Sequence, residues 1–246
     1  MTEFIAYLFI FFAILLFRYF VTAGIFYAYY LKITKNSQDQ RRLSKRPVKK
    51  NQVKREIYWS VISSAIFAFF GAVTYYLYLH NWTGVYLDPA QYGIWYLPMS
   101  LALVLLLHET YYYWLHRAMH MPGIYKVVHK VHHDSLSPTP WTAFSFHPWE
   151  SVLEALILPV ILLVVPVNVY VLLVYLIFIT FSSVVNHLDI EIYPQWFRKC
   201  GFGKLWIDAT HHHFHHQEFK TNYGLYFTFW DKFMGTESKK MHQEDL

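Results

Sequence analysis

Cysteine is nearly absent from this chain and charge is scarce. Cys200 stands alone, which excludes a disulfide framework and any cysteine-rich iron–sulfur or zinc site. Only 15% of the 246 residues are charged, against 55% hydrophobic and 21% aromatic. Glycine-rich nucleotide cradles are missing too. Gly201-Phe-Gly203 lacks the third glycine and the βαβ setting of a dinucleotide loop, so nothing in the chain holds a nicotinamide or flavin. The net charge of +5 does not call for nucleic acid, because ten of the 21 Lys and Arg gather between Lys32 and Arg55, beside an apolar segment. That pattern is a positive-inside cytoplasmic loop, able to touch anionic headgroups. No cleavable leader is expected: Glu3 sits where a basic region belongs, and the first apolar run is longer than a leader's.

What the chain has instead is long apolar runs, and they set the fold class: an all-α polytopic membrane bundle of about four to five apolar segments, capped on the cytosolic side. The runs are Phe4 to Leu31, Ile57 to Leu79, Ile94 to Leu115, and two arms, Val152 to Val165 and Val167 to Val185, meeting at Pro166 and Asn168. An unbroken helix from Ile94 to His116 rises about 33 Å, slightly more than the hydrocarbon thickness of about 30 Å. Pro98 is expected to kink it. The first arm is short, so the pair is either a shallow hairpin or two crossings. Arg18 lies inside the first run and either snorkels or meets an internal partner. The expected division is residues 1–56, a span plus basic connector, and residues 57–246, the catalytic unit. Apart from Arg18, every Lys and Arg falls on the cytoplasmic side of this topology, with the histidine boxes and the C-terminus. Gln243-Glu-Asp-Leu246 is therefore a poor lumenal retrieval signal.

The histidines organise the rest. His108-Glu-Thr-Tyr-Tyr-Tyr-Trp-Leu-His116-Arg-Ala-Met-His120 is followed by His129-Lys-Val-His132-His133, Asn186-His187 and His211-His212-His213-Phe-His215-His216. On a helix His116 and His120 each fall within about 20° of Glu109 around the axis. Positions i, i+3 and i+4 of both H-x-x-H-H boxes share one face. Nine imidazoles qualify as metal ligands: His116, His120, His129, His132, His133, His187, His212, His215 and His216. Neutral imidazole suits iron, zinc, copper and nickel, and two ions with four or five nitrogens each use all nine. Around them, His108 and His147 are outer donors, gates or further ligands, and His211 flanks the last box. Glu109 and Glu191 are placed to orient ligand imidazoles, Glu191 provided that the segment after His187 is helical, and Asp208 is a further supporting carboxylate. His80 reads as a core residue and His242 as solvated.

The ordered set HETYYYWLHRAMH, HKVHH, SPTPWTAFSFHPWE, NHLDIEIYP and THHHFHH…NYGLYFTFWDKFMGT, from about Tyr96 to Thr236, resembles the sterol desaturase/fatty acid hydroxylase superfamily. Pro138-Thr-Pro-Trp-Thr-Ala-Phe-Ser-Phe-His147-Pro is most similar to its C-5 sterol desaturase branch. The resemblance implies a four-helix-like membrane scaffold with a cytosolic cap holding two non-haem irons on the three boxes and His187. Some members carry a second histidine four residues after the equivalent of His187, where this chain has Glu191.

Such a centre uses O2 and two electrons to attack an unactivated C–H bond, while the protein sets orientation and excludes water. A membrane lipid is the implied substrate, with desaturation of a sterol first. Hydroxylation of a fatty acyl chain or alkyl glycerol is the alternative, and a metal transporter the non-enzyme one. Electrons then come from an external carrier such as cytochrome b5 or a ferredoxin with its reductase, and zinc is a possible occupant after purification. Arg198, Lys199 and Lys204 are either a docking patch for that carrier or ordinary positive-inside charges. The aromatics of Tyr111 to Trp114 and Tyr223 to Trp230 either line a lipid passage or pack the core. The membrane is the endoplasmic reticulum in a eukaryote and the inner membrane in a bacterium.

Overall fold

A computed structural model describes residues 2–34 and 42–242. The reading of Gln243 to Leu246, part of the basic connector and the side chain of His242 lie outside the described residues. Among the described residues three helices are long and apolar enough to cross a membrane: α1 (Thr2–Thr34), α2 (Gln52–Leu79) and α8 (Val169–Asn186). The outward face of α1 leaves Phe9, Ile14, Phe17 and Ile25 uncovered, a surface suited to lipid. Its inward stripe, Tyr19, Ala23, Tyr30 and Ile33, follows helical spacing. In α2 the buried stripe is made of small residues, Ser60, Ser64, Ala68 and Ala72, one every four positions. Small residues at that spacing let neighbours approach closely.

The α2 stripe receives the segment after the second histidine box. A short 3-10 turn, Pro140–Phe144, enters between α1, α2 and α8 with Thr139 capping it. Ser60 and Tyr19 donate to the Trp141 carbonyl at 3.2 and 2.8 Å, and Ser183 of α8 donates to the Ala143 carbonyl at 3.0 Å. Phe144 stacks on Tyr19 with ring centres 5.2 Å apart. Below it, buried Glu56 accepts from Gln52, Ser135 and Thr139 at 2.7, 2.7 and 2.6 Å. The Tyr19, Ser60 and Ser183 hydroxyls satisfy backbone carbonyls that lipid cannot, each contributing about 1 kcal/mol in such surroundings.

Beyond α2 the chain turns at Asn81 and forms β1 (Val85–Tyr86) before α3 (Tyr96–Met119). α3 has the length of a span, but it starts at Tyr96 rather than Ile94. Pro98 therefore sits in its first turn, where a missing N–H costs nothing, and not at a mid-helix kink. After α4 (Ile124–Val128) and α5 (Lys130–His133), the chain passes through the 3-10 turn and descends through α6 (Pro148–Ala155) and α7 (Ile157–Val164). Pro159 has no N–H to give the Ala155 carbonyl, which accounts for the break at Leu156. β2 (Val167–Asn168) then pairs in parallel with β1, Val85 against Val167. The hairpin apex thus reaches the level of the α2–α3 turn, and does not stop short of it. Gly84 permits this: a Cβ there would stand 2.8 Å from the Val165 carbonyl oxygen. Val104 of α3, Ile161 and Leu162 of α7, and Val171 and Tyr175 of α8 close the bundle around one apolar cluster. α9 (Gln195–Lys199), α10 (Ala209–Glu218) and α11 (Phe229–Met234) complete the cap.

Candidate metal centre

Short helices and helix ends point each histidine segment inward. α3 delivers His116 in its last turn and His120 as its cap. Gly123, at φ 92°, turns the chain into α4 and α5, with His129 at their junction and His132 and His133 at the end of α5. His187 caps the C-terminus of α8, and α10, capped by Asp208, carries His212, His215 and His216.

The nine side chains fall into two groups: His116, His120, His129, His133 and His215, and His132, His187, His212 and His216. Within each, one nitrogen per ring lies within 4.8 Å of all the others. The two H-x-x-H-H boxes are divided reciprocally. The first sends its i and i+4 residues, His129 and His133, to the first group and His132 to the second. The second sends His212 and His216 to the second group and His215 to the first. The i+3 position, turned about 60° from i in a helix, reaches across to the neighbouring group.

Ring nitrogens face one another at close range. In the first group Nε2–Nε2 distances are 3.1 Å for His116–His129, 3.2 Å for His120–His215 and 3.0 Å for His133–His215. In the second they are 3.1 Å for His132–His187, 2.8 Å for His187–His212 and 3.1 Å for His212–His216. Protons do not explain all of these. His116 Nδ1 lies 2.9 Å from the Tyr223 carbonyl, His187 Nδ1 2.7 Å from that of Ser183, and His215 Nδ1 2.7 Å from that of Thr221. A carbonyl only accepts, so each Nδ1 carries the proton and each Nε2 a lone pair. His129 Nδ1 meets Glu150 Oε1 at 2.6 Å, completing the same arrangement. With Glu150 ionised, the Nε2 lone pairs of His116 and His129 are opposed with no proton to share. An ion at about 2.1 Å from each nitrogen, at right angles, would set cis nitrogens about 3.0 Å apart. The donor set fits a first-row metal ion in each group.

The electrostatics agree. Burial first, then repulsion between neighbouring rings, holds His116, His132, His133, His212 and His216 well below the usual imidazole range. Burial does the same for His129. His187 and His215 are pushed down to about 4, chiefly by burial. All are neutral at physiological pH, the form that ligates. Glu150 moves the other way, pushed up by burial and by neighbouring Glu154. A cation on the far side of the His129 ring would offset that cost.

The carboxylates named from the sequence stand elsewhere. Glu109 touches no imidazole: it accepts the backbone N–H groups of Leu225, Tyr226 and Phe227 at 3.0, 2.7 and 3.3 Å. Asp231 accepts those of Tyr223 and Gly224, both at 2.9 Å. Two carboxylates thus hold five consecutive N–H groups of the segment whose Tyr223 carbonyl fixes His116. Gly224 is required there, since a Cβ would meet the Phe227 carbonyl oxygen at 2.6 Å and Glu109 Oε1 at 2.9 Å. Glu191 does not share a helix with His187, because α8 ends at Asn186 and Asp189 adopts φ 58°. It accepts instead from Tyr193 N–H and from Thr210. Asp208 caps α10 and pairs with Arg198 and His211.

His108 bonds to the Tyr175 and Tyr226 hydroxyls at 2.6 and 3.0 Å, and His147 caps α6 through Trp149 N–H. Neither belongs to a group, nor do His211 and His213; the latter faces Asp189. The aromatic segments pack against each other: Tyr113 stacks on Trp230, and Trp114 and Tyr223 pack against the same pair. Arg18 is half-buried on α1. Glu150 and Asp231 are the supporting residues that sequence reasoning missed. The available signal was an acid pair, Glu150 and Glu154, opening an otherwise apolar arm.

The sequence model of the family described as Fatty acid hydroxylase matches residues 101–236. Among curated proteins the chain is 32% identical over 190 residues to rat lathosterol oxidase, covering 76% of this chain and 62% of that protein. It is 29% identical over 197 residues to a Delta(7)-sterol 5(6)-desaturase of Gibberella zeae, covering 80% of this chain and 59% of that one. A methylsterol monooxygenase of Aspergillus fumigatus is 34% identical over 146 residues, 57% of this chain and 47% of the relative. The chain spans about six-tenths of the length of the sterol desaturases it matches. No solved structure matches it.

Proposed function

The chain belongs to the fatty acid hydroxylase family, and on that premise we propose that it is an O2-dependent oxidoreductase with two non-haem irons that acts on a C–H bond of a membrane lipid, desaturating a sterol most like the C-5 sterol desaturases. The observation that carries this reading is the convergence of nine imidazoles on two adjacent nitrogen-only pockets, with the Nδ1 atoms of His116, His187 and His215 held by backbone carbonyls so that their Nε2 lone pairs face inward. His116, His120, His129, His133 and His215 would hold one ion, and His132, His187, His212 and His216 the other. When bound, the ions supply O2 activation and a two-electron oxidant.

The chain's residues do the rest. Tyr223, Glu150, Ser183 and Thr221 fix four rings with Nε2 forward. Phe146, 5.1 Å from His132, and Phe219, 4.7 Å from His133, border the site with apolar surface that excludes water. The cluster of Tyr19, Phe144, Phe146 and Val184 continues that surface between the membrane helices, on the side from which a lipid body would approach. Electrons come from an external carrier such as cytochrome b5 or a ferredoxin with its reductase, and the histidine cap faces the cytosol.

The similarity to a methylsterol monooxygenase favours one second reading, oxygen insertion rather than hydrogen loss. Expression in a sterol-making host deficient in C-5 desaturation tests both, beside a His132→Ala, His133→Ala control. A product lighter by two hydrogens from wild type only supports desaturation, and one heavier by an oxygen supports hydroxylation. Metal that exchanges freely and crosses vesicle membranes, without product, would speak for a transporter.

A further inference from the structure

Two cap segments hang below the level of the metal centre along the outside of the bundle. Trp206 sets its ring 5.8 Å from Phe178 of α8, which lies eight residues, or about 12 Å, down the helix from Asn186. Trp230 of α11 donates its indole N–H to Thr110 of α3 at 3.1 Å, about 9 Å below His116. The segments are joined to each other, Thr228 N–H to the Leu205 carbonyl and Thr228 hydroxyl to the Lys204 carbonyl, both at 2.9 Å. From this strap large apolar side chains project outward: Trp196 is 73% exposed, Phe202 59%, Leu205 45% and Phe233 80%. Residues 195–205 contain three basic side chains and no acidic one. The neighbouring side chains on the membrane helices, Leu106 and Trp114 of α3 and Ile177 and Phe181 of α8, are themselves uncovered apolar surface.

We propose that the strap formed by Gln195 to Leu205 and α11 is an interfacial membrane anchor, with Trp196, Phe202, Leu205 and Phe233 immersed among the acyl chains and Lys199 and Lys204 against anionic headgroups of the leaflet on the histidine side. Its apolar surface is continuous with the lipid-facing sides of α3 and α8, so the bilayer that covers those helices also covers the strap. Large apolar side chains flanked by lysine suit that zone, and Trp196 has in addition an indole N–H that can stay wet. Lysines near such a surface are drawn toward anionic lipid. A soluble acidic carrier approaching the same lysines would meet protruding rings at membrane depth. The basic residues beside the last histidine box therefore face headgroups and not an electron donor. The consequence is a metal centre held at a fixed height above the acyl chains by its own rim.

The test uses the full chain in vesicles of phosphatidylcholine with and without phosphatidylglycerol. A nitroxide is attached at Phe202→Cys in a Cys200→Ser background, and at Lys130→Cys in the same background as a cap control. Collisions with O2, which partitions into lipid, and with a water-soluble nickel chelate are compared. The 202 label is expected to favour O2 severalfold and resist nickel, and the 130 label to do the reverse. Lys199→Gln with Lys204→Gln is expected to abolish the preference of spin-labelled phosphatidylglycerol for the protein. Equal nickel access at both labels overturns the proposal. Protection of the 202 label from both reagents in a dimer assigns the strap to a second copy and overturns it as well. An unchanged lipid preference in the double lysine variant removes the headgroup contact. None of these readouts depends on bound metal or on lipid oxidation.

Discussion

The two histidine groups are built from the same boxes but held differently. In the first, three of five rings have Nδ1 tied down: His116 to the Tyr223 carbonyl, His215 to that of Thr221, and His129 to the Glu150 carboxyl. In the second, only His187 of four is tied, to its own helix at Ser183, while the Nδ1 atoms of His132 and His216 are buried without a hydrogen-bond partner, as is that of His133 alone in the first. The first group is thus pre-set by the protein, and one of its members, His120, reaches partial exposure. The second is wholly buried, and a bound ion would be needed to hold its untied rings in place. One pocket is oriented before it is filled, the other largely by filling.

Single-ligand substitutions break this comparison most severely. His116→Ala and His212→Ala are each expected to abolish lipid oxidation and to lower metal content from two ions per chain to one, read by elemental analysis. A variant that keeps both ions contradicts the grouping. Glu150→Gln comes next: it leaves an acceptor for His129 but removes the charge, and metal affinity at the first group should fall about ten- to a hundredfold, measured by chelator competition. The second group should be unaffected.

Acid sharpens the same contrast. Folded pKa values below that of free imidazole mean that these histidines bind fewer protons in the folded chain than in the unfolded one, so their contribution to metal-free stability rises with pH and outnumbers the opposite contribution of the raised Glu150 carboxyl. That stability is fully present above about 6.5 and is lost as pH falls toward the folded values, about 4 for His187 and His215. Denaturation midpoints measured across that window should fall steadily, and an unchanged midpoint would contradict the burial of neutral rings. Gly224→Ala should cost about 1–3 kcal/mol by forcing the clamp around Glu109 to open, with a lowered thermal midpoint. The smallest effect is expected at His213→Asn, which changes a box histidine outside both groups. Metal content and product should remain as in wild type, and loss of an ion there would redraw the second group.

The membrane class and the gathering of nine histidines were legible because both rest on local signals, apolar run length and helical spacing. The division of each box between two groups was not, since spacing places His132 beside His133 but does not say which pocket each ring meets. Glu109 was drawn toward the site by its register with His116, yet its partners are backbone groups more than a hundred residues away. Glu150 was hidden for the converse reason. It precedes an apolar arm, and only the fold of α6 against α4 carries its carboxyl to His129. The break at Leu156 follows from Pro159 and was readable in principle, whereas the reach of the hairpin depended on the β1–β2 pairing, a long-range contact made possible by Gly84.

The most direct measurement is iron content with X-ray absorption on protein loaded and purified without oxygen. Two irons per folded chain, each ringed by imidazole nitrogen, is the expected result. One iron, or none in well-folded protein, would contradict the two-pocket site.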